Sequence, residues 1–195
     1  MLKAVLVDLN GIFIISPKLS KRFQADFGIP ESKFLPKLFE IMEKVRKPGA
    51  GKAFYYWKPV LDEFGVNFTE EEFWDYWFKS EKPSEEIIGI AKDLRAKGIK
   101  VIIVSNNFQE RAEYYGHYPW LHDAADKVYF SWQTGLVKPD PKAWEMVLKE
   151  NDLKPEECIY FDDQEKNIKS AESLGIKSFD YQGPEQLKNI VESYG

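Results

Sequence analysis

The chain has 195 residues, of which 44% are hydrophobic and 15% aromatic, and its formal net charge is -5. This length and composition exclude a disordered polypeptide and suffice for one large domain or for a compact domain with an insertion. The charges are spread along the chain rather than blocked, so neither a nucleic-acid partner nor a membrane-binding face is expected. No apolar run approaches the ~20 residues that span a bilayer, and residues 1–3 lead directly into a predicted strand rather than into a signal peptide.

The first predicted element is the apolar run Ala4–Val7, a buried strand that ends at Asp8. Residues 17–82 then carry helical patterns with no obvious strand. The predicted helices lie around Ser20–Phe27, Ser32–Val45, Phe54–Phe64 and Glu70–Phe78. We predict that residues 17–82 form a helical cap, inserted after the first strand and placed as a lid over the carboxyl ends of the strands.

Strand and helix patterns alternate after residue 83. Further apolar runs predict strands at Val101–Val104, Lys127–Phe130, Cys158–Phe161 and Ile176–Phe179. Continuous apolarity is typical of parallel strands that are covered on both faces. Helical periodicity separates these runs, and Asp140 followed by Pro141 predicts a helix start. The order predicts an α/β fold, a doubly wound parallel sheet built from residues 1–16 and 83–195.

Polar side chains follow the predicted strands or lie in the loops after them. They are Asp8, Ser105, Asn106, Asn107, Lys138, Asp162 and Asp163. In an open parallel sheet the carboxyl ends of the strands converge on one crevice, where ligands bind. Three carboxylates brought so close would repel strongly unless a cation lay among them. Hard oxygen ligands favour Mg²⁺, which keeps some waters and accepts a phosphate oxygen.

Four segments resemble, in order, the four motifs of the haloacid dehalogenase superfamily. They are "VDLNGI", "VSNN", "GLVKPDPKAW" and "YFDDQEKNI". The resemblance runs from Leu2 to about Ser178, and the predicted helical cap occupies the place of that superfamily's cap. The stretch "YPWLHDAADKVYFS" is similar to a branch of sugar-phosphate phosphatases that includes glucose-1-phosphate phosphatases. The resemblance therefore implies a hydrolase, and within the superfamily a phosphatase.

The resemblance also implies roles for the residues that handle phosphate. Asp8 would be the nucleophile that attacks phosphorus and forms an aspartyl-phosphate. Ser105 would bind a phosphoryl oxygen, together with backbone amides near Asn106. Lys138 would neutralise the phosphoryl group and orient Asp8 as a point charge.

A second set of residues would hold the Mg²⁺ that the resemblance implies. Asp8 would be one of its ligands, and Asn10 would bind it with the backbone carbonyl. Asp163 would be the principal ligand of the last motif, with Asp162 beside it. Asn167, four positions after Asp163, would orient these ligands.

Asn10 departs from the superfamily's pattern, since its phosphatases usually have aspartate there as the general acid. An amide cannot donate and recover a proton at neutral pH. Three explanations stay open: a natural phosphatase branch without the second aspartate, an introduced substitution that traps a bound state, and a dehalogenase-like enzyme. In the last case Asp8 would attack carbon without a metal, but the pair Asp162 and Asp163 argues against it, because dehalogenases tend to have neutral residues there.

The preferred hypothesis is a Mg²⁺-dependent phosphatase that acts on a small phosphorylated metabolite and is weakened by Asn10. The alternatives are a metal-independent haloacid dehalogenase-type hydrolase and a catalytically inactive phosphate-binding protein. Cys158 is the single cysteine and lies in an apolar run, so we expect no internal disulfide and a cytoplasmic location. We expect no nucleic-acid or membrane partner, and either a monomer or a homodimer.

Overall fold

The structure is a computed structural model that describes residues 1–194. Its strands are β1 (Ala4–Val7), β2 (Ile14–Ile15), β3 (Lys82–Pro83), β4 (Lys100–Ser105), β5 (Lys127–Phe130), β6 (Cys158–Asp162) and β7 (Lys177–Asp180). Its helices are α1 (Leu19–Phe27), α2 (Glu31–Val45), α3 (Phe54–Glu63), α4 (Glu70–Phe78), α5 (Glu85–Ala96), α6 (Gln109–Gly116), α7 (Pro119–Ala124), α8 (Ser131–Thr134), α9 (Lys142–Glu150), α10 (Glu165–Glu172) and α11 (Pro184–Glu192).

Five strands form one parallel sheet in the order β5-β4-β1-β6-β7. Strand β1 lies at the centre, where Val7 is paired with Ile103 of β4 on one side and with Phe161 of β6 on the other. All residues of β1 are buried, which explains its uninterrupted apolar sequence. The predicted α/β fold with a doubly wound parallel sheet is confirmed.

The two faces of β1 pack into different hydrophobic clusters. Val5 and Val7 face a cluster that includes residues of α5 and α11. Ala4 and Leu6 face a second cluster that includes residues of α9 and α10. The alternation follows from the two-residue repeat of a strand, and it shows that helices cover both faces of the sheet.

Helices α1 to α4 have a hydrophobic cluster of their own that is rich in aromatic rings. Its largest fully buried side chains are Trp57, Phe23, Phe34, Phe73 and Phe108, of which Phe108 alone comes from outside the four helices. Rings of this size bury a large apolar area and favour tilted or edge contacts. The four helices begin and end within one residue of the predicted bounds. Among residues 1–194 no helix combines the length and the apolar character that a membrane crossing requires.

A two-stranded antiparallel ribbon joins the helices to the sheet. Ile14 of β2 pairs with Pro83 of β3, and Ile15 pairs with Lys82. The chain therefore leaves for α1 and returns from α4 at the same place. Neither strand was predicted, because two residues are too few to show a periodic pattern.

Candidate active site

The candidate site lies at the carboxyl end of the central strand. Asp8 directly follows β1, and its N–H continues the ladder by donating to the carbonyl of Phe161 at 3.0 Å. On the neighbouring strands, Ser105 ends β4 and Asp162 ends β6. Carboxylate oxygens of Asp8, Asp162 and Asp163 lie within 4.8 Å of one another. The structure thus brings together side chains that are widely separated along the chain.

Lys138 lies between two of these carboxylates. Its Nζ is 3.0 Å from Oδ1 of Asp8 and 2.6 Å from Oδ2 of Asp162, and the lysine is only 3% exposed. The backbone N–H of Leu9 donates to the same Oδ1 of Asp8 at 2.8 Å. No hydrogen bond or ion pair within residues 1–194 uses the other oxygen, Oδ2 of Asp8. That oxygen is therefore available to a ligand.

The charge of Asp8 is only partly compensated. Burial raises the pKa of Asp8 to about 6, while the Lys138 ammonium acts against this shift and the carboxylate of Asp162 adds to it. Burial also raises the pKa of Asp163, and Asp162 again contributes. One ammonium therefore faces three carboxylates, which leaves negative charge that a bound cation would stabilise.

Asp162 is surrounded by hydrogen-bond donors of the protein itself. Oδ1 accepts from the N–H of Gln164 at 2.8 Å and from Nδ2 of Asn167 at 3.0 Å. Oδ2 accepts from Lys138, from the hydroxyl of Tyr160 and from the same Asn167 amide. Asn167 thus contacts Asp162, and Asp162 also supports the start of α10. The oxygens of Asp162 therefore already accept more hydrogen bonds than those of Asp163.

Asp163 is exposed and approaches the loop after β1 at Gly11. A Cβ on Gly11 would lie 2.9 Å from Oδ2 of Asp163, and Gly11 has a φ of +90°. Only glycine takes up this conformation and leaves this space without strain. Together, the carboxylates of Asp163 and Asp8 form an acidic pair that fits a hard divalent cation.

Ser105 and Asn106 lie beside the carboxylates but differ in their surroundings. Ser105 is buried and accepts a long contact of 3.4 Å from Nδ2 of Asn107. The Asn106 amide donates to the carbonyl of Lys138 at 2.7 Å and accepts from its N–H at 2.8 Å. The side chain of Asn106 therefore positions the Lys138 loop, so only its backbone N–H could bind phosphate.

Asn10 is held by two directed contacts. Its Nδ2 donates to the hydroxyl of Tyr115 at 3.1 Å, and its Oδ1 accepts from Nδ2 of Asn107 at 3.0 Å. The carbonyl of Asn107 and its N–H are in turn bonded to Ser131. An amide side chain suits this position because its NH₂ group donates to one neighbour while its oxygen accepts from the other.

Two further residues near the candidate site were not predicted. Arg46 follows α2, and its Nε is buried without a hydrogen-bond partner among residues 1–194. Burial and the charge of Arg111 lower the pKa of Arg46, while the Asp8 carboxylate raises it. No signal in the sequence distinguishes Arg46 from the lysines around it. Tyr160, by contrast, is two residues before Asp162 on one strand, so the alternation of a strand could have placed both on the same face.

The family assignment follows from a match over nearly the whole chain. Residues 2–175 match the model of the haloacid dehalogenase-like hydrolases, and the chain belongs to this family. The predicted superfamily is confirmed. The prediction of a hydrolase is confirmed as well.

Solved structures show the same fold. A HAD family enzyme from Bacteroides thetaiotaomicron superposes with a TM-score of 0.81 at 21% identity, covering 97% of this chain and 98% of that one. The same wild-type enzyme in complex with magnesium and inorganic phosphate gives a TM-score of 0.74 at 22% identity, with 93% and 95% covered. At these identities the likeness shows the fold alone.

Four curated relatives are named phosphatases. Sesquiterpene phosphatase astK of Aspergillus oryzae is 29% identical over 99 residues, covering 49% of this chain and 48% of the relative. D-ribitol-5-phosphate phosphatase of Bacteroides thetaiotaomicron is 36% identical over 59 residues, covering 30% of this chain and 29% of the relative. The chain spans less than half the length of these last two relatives.

Proposed function

We propose that the protein is a Mg²⁺-dependent phosphomonoester hydrolase that acts on a small phosphorylated metabolite, such as a sugar phosphate. The observation that carries this proposal is the free Oδ2 of Asp8, beside a buried lysine and an exposed third carboxylate. Relatives that are named phosphatases, and a neighbour solved with magnesium and phosphate, support the same chemistry. The single buried cysteine fits a reducing cytoplasm.

In the proposed reaction the Oδ2 of Asp8 attacks phosphorus, and the bond from phosphorus to the ester oxygen breaks. The product is an aspartyl-phosphate, which water then hydrolyses to free phosphate and the original carboxylate. Lys138 fixes the other oxygen of Asp8 and neutralises the charge that develops on the phosphoryl group. The Ser105 hydroxyl and the backbone N–H of Asn106 would bind phosphoryl oxygens.

Asp8, Asp163 and the backbone carbonyl of Asn10 would hold Mg²⁺, with Asp162 and its donor Asn167 behind them. When bound, the ion would offset the negative charges of the carboxylates and of the phosphoryl group, which otherwise repel. The donor set fits this ion because it is made of oxygens with excess negative charge. Asp162 is the weaker candidate ligand, since its oxygens already accept hydrogen bonds.

Asn10 removes one contribution to the rate. The leaving oxygen needs a proton when the ester bond breaks, and an amide has none to give. General acid–base assistance is worth ~10²–10⁴-fold, so water must supply the proton at a slower rate. The nucleophile, the lysine and the metal ligands are unaffected by the amide, and we propose a weakened rather than an absent activity.

We further propose that residues 17–82 act as a cap over the crevice. The four helices pack around their own aromatic cluster, and the chain enters and leaves them through β2 and β3, which suits a lid that moves as one piece. Arg46, at the end of α2, would contribute a positive charge to the phosphorylated end of the substrate. The Nε of Arg46 is buried without a hydrogen-bond partner among residues 1–194, and a phosphate oxygen would satisfy this donor.

The proposal is tested by steady-state phosphate release from a panel of sugar phosphates and other small phosphomonoesters. Mg²⁺-dependent release that is abolished by EDTA and by Asp8→Asn supports it. Halide release from a 2-haloacid without metal would favour the dehalogenase alternative instead. Tight binding of inorganic phosphate without turnover, in the protein and in its Asn10→Asp variant, would favour a non-catalytic phosphate-binding protein.

A further inference from the structure

A buried polar network lies behind the candidate site and has no part in the reaction steps above. Glu81, just before β3, forms an ion pair with Arg111 of α6, and their side chains are 1% and 14% exposed. The hydroxyl of Tyr115, one helical turn after Arg111, donates to Oε2 of the same glutamate. Ser16, just after β2, donates to Oε1 of Glu81 at 3.2 Å. The glutamate therefore contacts both chain segments that lead to the helices, as well as α6.

The hydroxyl of Tyr115 uses its full hydrogen-bonding capacity. Its one proton goes to Glu81, and its oxygen accepts from Nε of Arg111 at 2.9 Å and from Nδ2 of Asn10 at 3.1 Å. A hydroxyl has one donor and two acceptor positions, so no acceptor group can replace the Asn10 amide without displacing another bond. The network therefore requires a hydrogen-bond donor at position 10, where the Tyr115 hydroxyl contacts the loop after β1.

The opposite end of the Asn10 amide is fixed as well. Its Oδ1 accepts from Nδ2 of Asn107 at 3.0 Å, so the side chain is held between a donor on one side and an acceptor on the other. The loop that carries Asn10 begins with Asp8, and the N–H of Gly11 donates back to the carbonyl of Ile14 at 2.8 Å. A shift of the Asn10 side chain would therefore move the short turn to which the candidate nucleophile belongs.

We propose that Tyr115, held by Glu81 and Arg111, is a positioning residue that fixes Asn10 and with it the turn after β1. This inference rests on the proposed function for its kinetic effect, whereas the contact itself is independent of any activity. Tyr115 touches no reacting atom and acts through Asn10 alone. If Tyr115 served only to pack the core, the effect of its hydroxyl on kcat would not depend on the side chain at position 10.

The first test is Tyr115→Phe, which removes one hydroxyl from a side chain that is 1% exposed and keeps its ring. We expect kcat for phosphate release to fall on the order of tenfold, since the hydrogen bond that holds the Asn10 amide is lost. KM should change less than about twofold, because the residues that bind phosphate are untouched.

The matched control is Tyr114→Phe, which removes the hydroxyl of the neighbouring tyrosine. That hydroxyl accepts from the hydroxyl of Tyr118 at 2.8 Å and does not contact Asn10. The kcat of this control should be unchanged.

A double-mutant cycle decides whether Tyr115 acts through Asn10. In the Asn10→Ala background we expect Tyr115→Phe to cause no further loss of kcat, since the side chain that it positions is gone. A full tenfold loss in both backgrounds would overturn the inference. If Tyr115→Phe does not fold, Glu81→Gln takes its place in the cycle, because it weakens the acceptor of the hydroxyl at nearly constant volume.

The melting temperatures of the same four proteins separate this inference from the proposed function. Measured without substrate, they should be non-additive by a few degrees, since both residues share one hydrogen bond. Additive losses of melting temperature would overturn the inference even if the protein proves to be a phosphatase. If no phosphomonoester is hydrolysed, the proposed function fails, and non-additive melting temperatures still support the positioning contact.

Discussion

Replacing Asn10 with aspartate would supply the carboxyl group that the proposed reaction lacks. The change conserves volume and keeps one oxygen in place to accept from Nδ2 of Asn107. The other end of the side chain changes from a donor to an acceptor. It then faces the oxygen of Tyr115, whose own proton already goes to Glu81.

The structure predicts that Asn10→Asp raises kcat but lowers the stability of the folded protein. A general acid at position 10 is worth up to ~10²–10⁴-fold in kcat. The lost donor leaves two oxygens about a hydrogen-bond length apart, which costs ~1–3 kcal/mol. For a chain of this size that is a fall in Tm of roughly 2–12 °C. We therefore expect Asn10→Asp to raise kcat at least about tenfold and to unfold at a lower temperature.

The assay is phosphate release at saturating Mg²⁺, measured together with thermal unfolding. Asn10→Ala is the control, because it removes the amide without adding a carboxyl group and should not raise kcat. An unchanged kcat in a folded Asn10→Asp protein that still binds phosphate would refute the reasoning. The proton of the leaving group would then not limit the reaction.

Three further expectations follow from individual contacts. Lys138→Met should lower kcat by ~10²–10³-fold, because the buried carboxylates of Asp8 and Asp162 lose the ammonium that they share, and phosphate release by a variant shown to be folded measures this loss. Arg46→Gln should raise KM by roughly 10–100-fold at similar kcat, and an unchanged KM would contradict a contact with phosphate. Burial raises the pKa of Glu110, so the stability that its protonated form provides below pH ~4.5 is lost as the pH rises through the folded pKa. Glu110→Gln, which can still accept from the N–H of Ala53, should therefore raise Tm by about 2–4 °C at pH 7 and change it little at pH 4; exposed Glu113→Gln is the control.

The sheet and the helices were predictable because their sequence patterns have a direct physical cause. Strands buried on both faces must be apolar throughout, and Ala4–Val7 and Cys158–Phe161 show this pattern. Polar residues at the ends of such strands are conspicuous, so Asp8 and Asp162 could be placed at one edge of the sheet. The distances between them could not be predicted, since they depend on the register of β1 against β6.

Other features depend on contacts between segments that are distant along the chain. Glu81 and Tyr115 meet only in the folded protein, and nothing in their neighbouring residues indicates a shared hydrogen bond. Arg46 lies in a stretch of lysines that would be expected to face solvent, yet its Nε is buried. The sequence showed Asn106 beside a candidate phosphate site, but only the structure shows that its amide bonds to the backbone of Lys138. Tertiary hydrogen bonds of this kind produce no periodic pattern in the amino-acid sequence.

The central position of β1 also affects the order in which the chain can fold. Ala4 pairs with Lys100 on one side and with Cys158 on the other, so both partners emerge from the ribosome long after β1. Helices α1 to α4 need no such partners, because most of their buried side chains contact one another. We expect the helices to collapse during synthesis while the apolar β1 is still unpaired, as contacts distant in sequence form late. Within the sheet, β1, which leads directly to the candidate nucleophile, is thus synthesised before the other strands, and its unpaired edges can aggregate until β4 and β6 have been made.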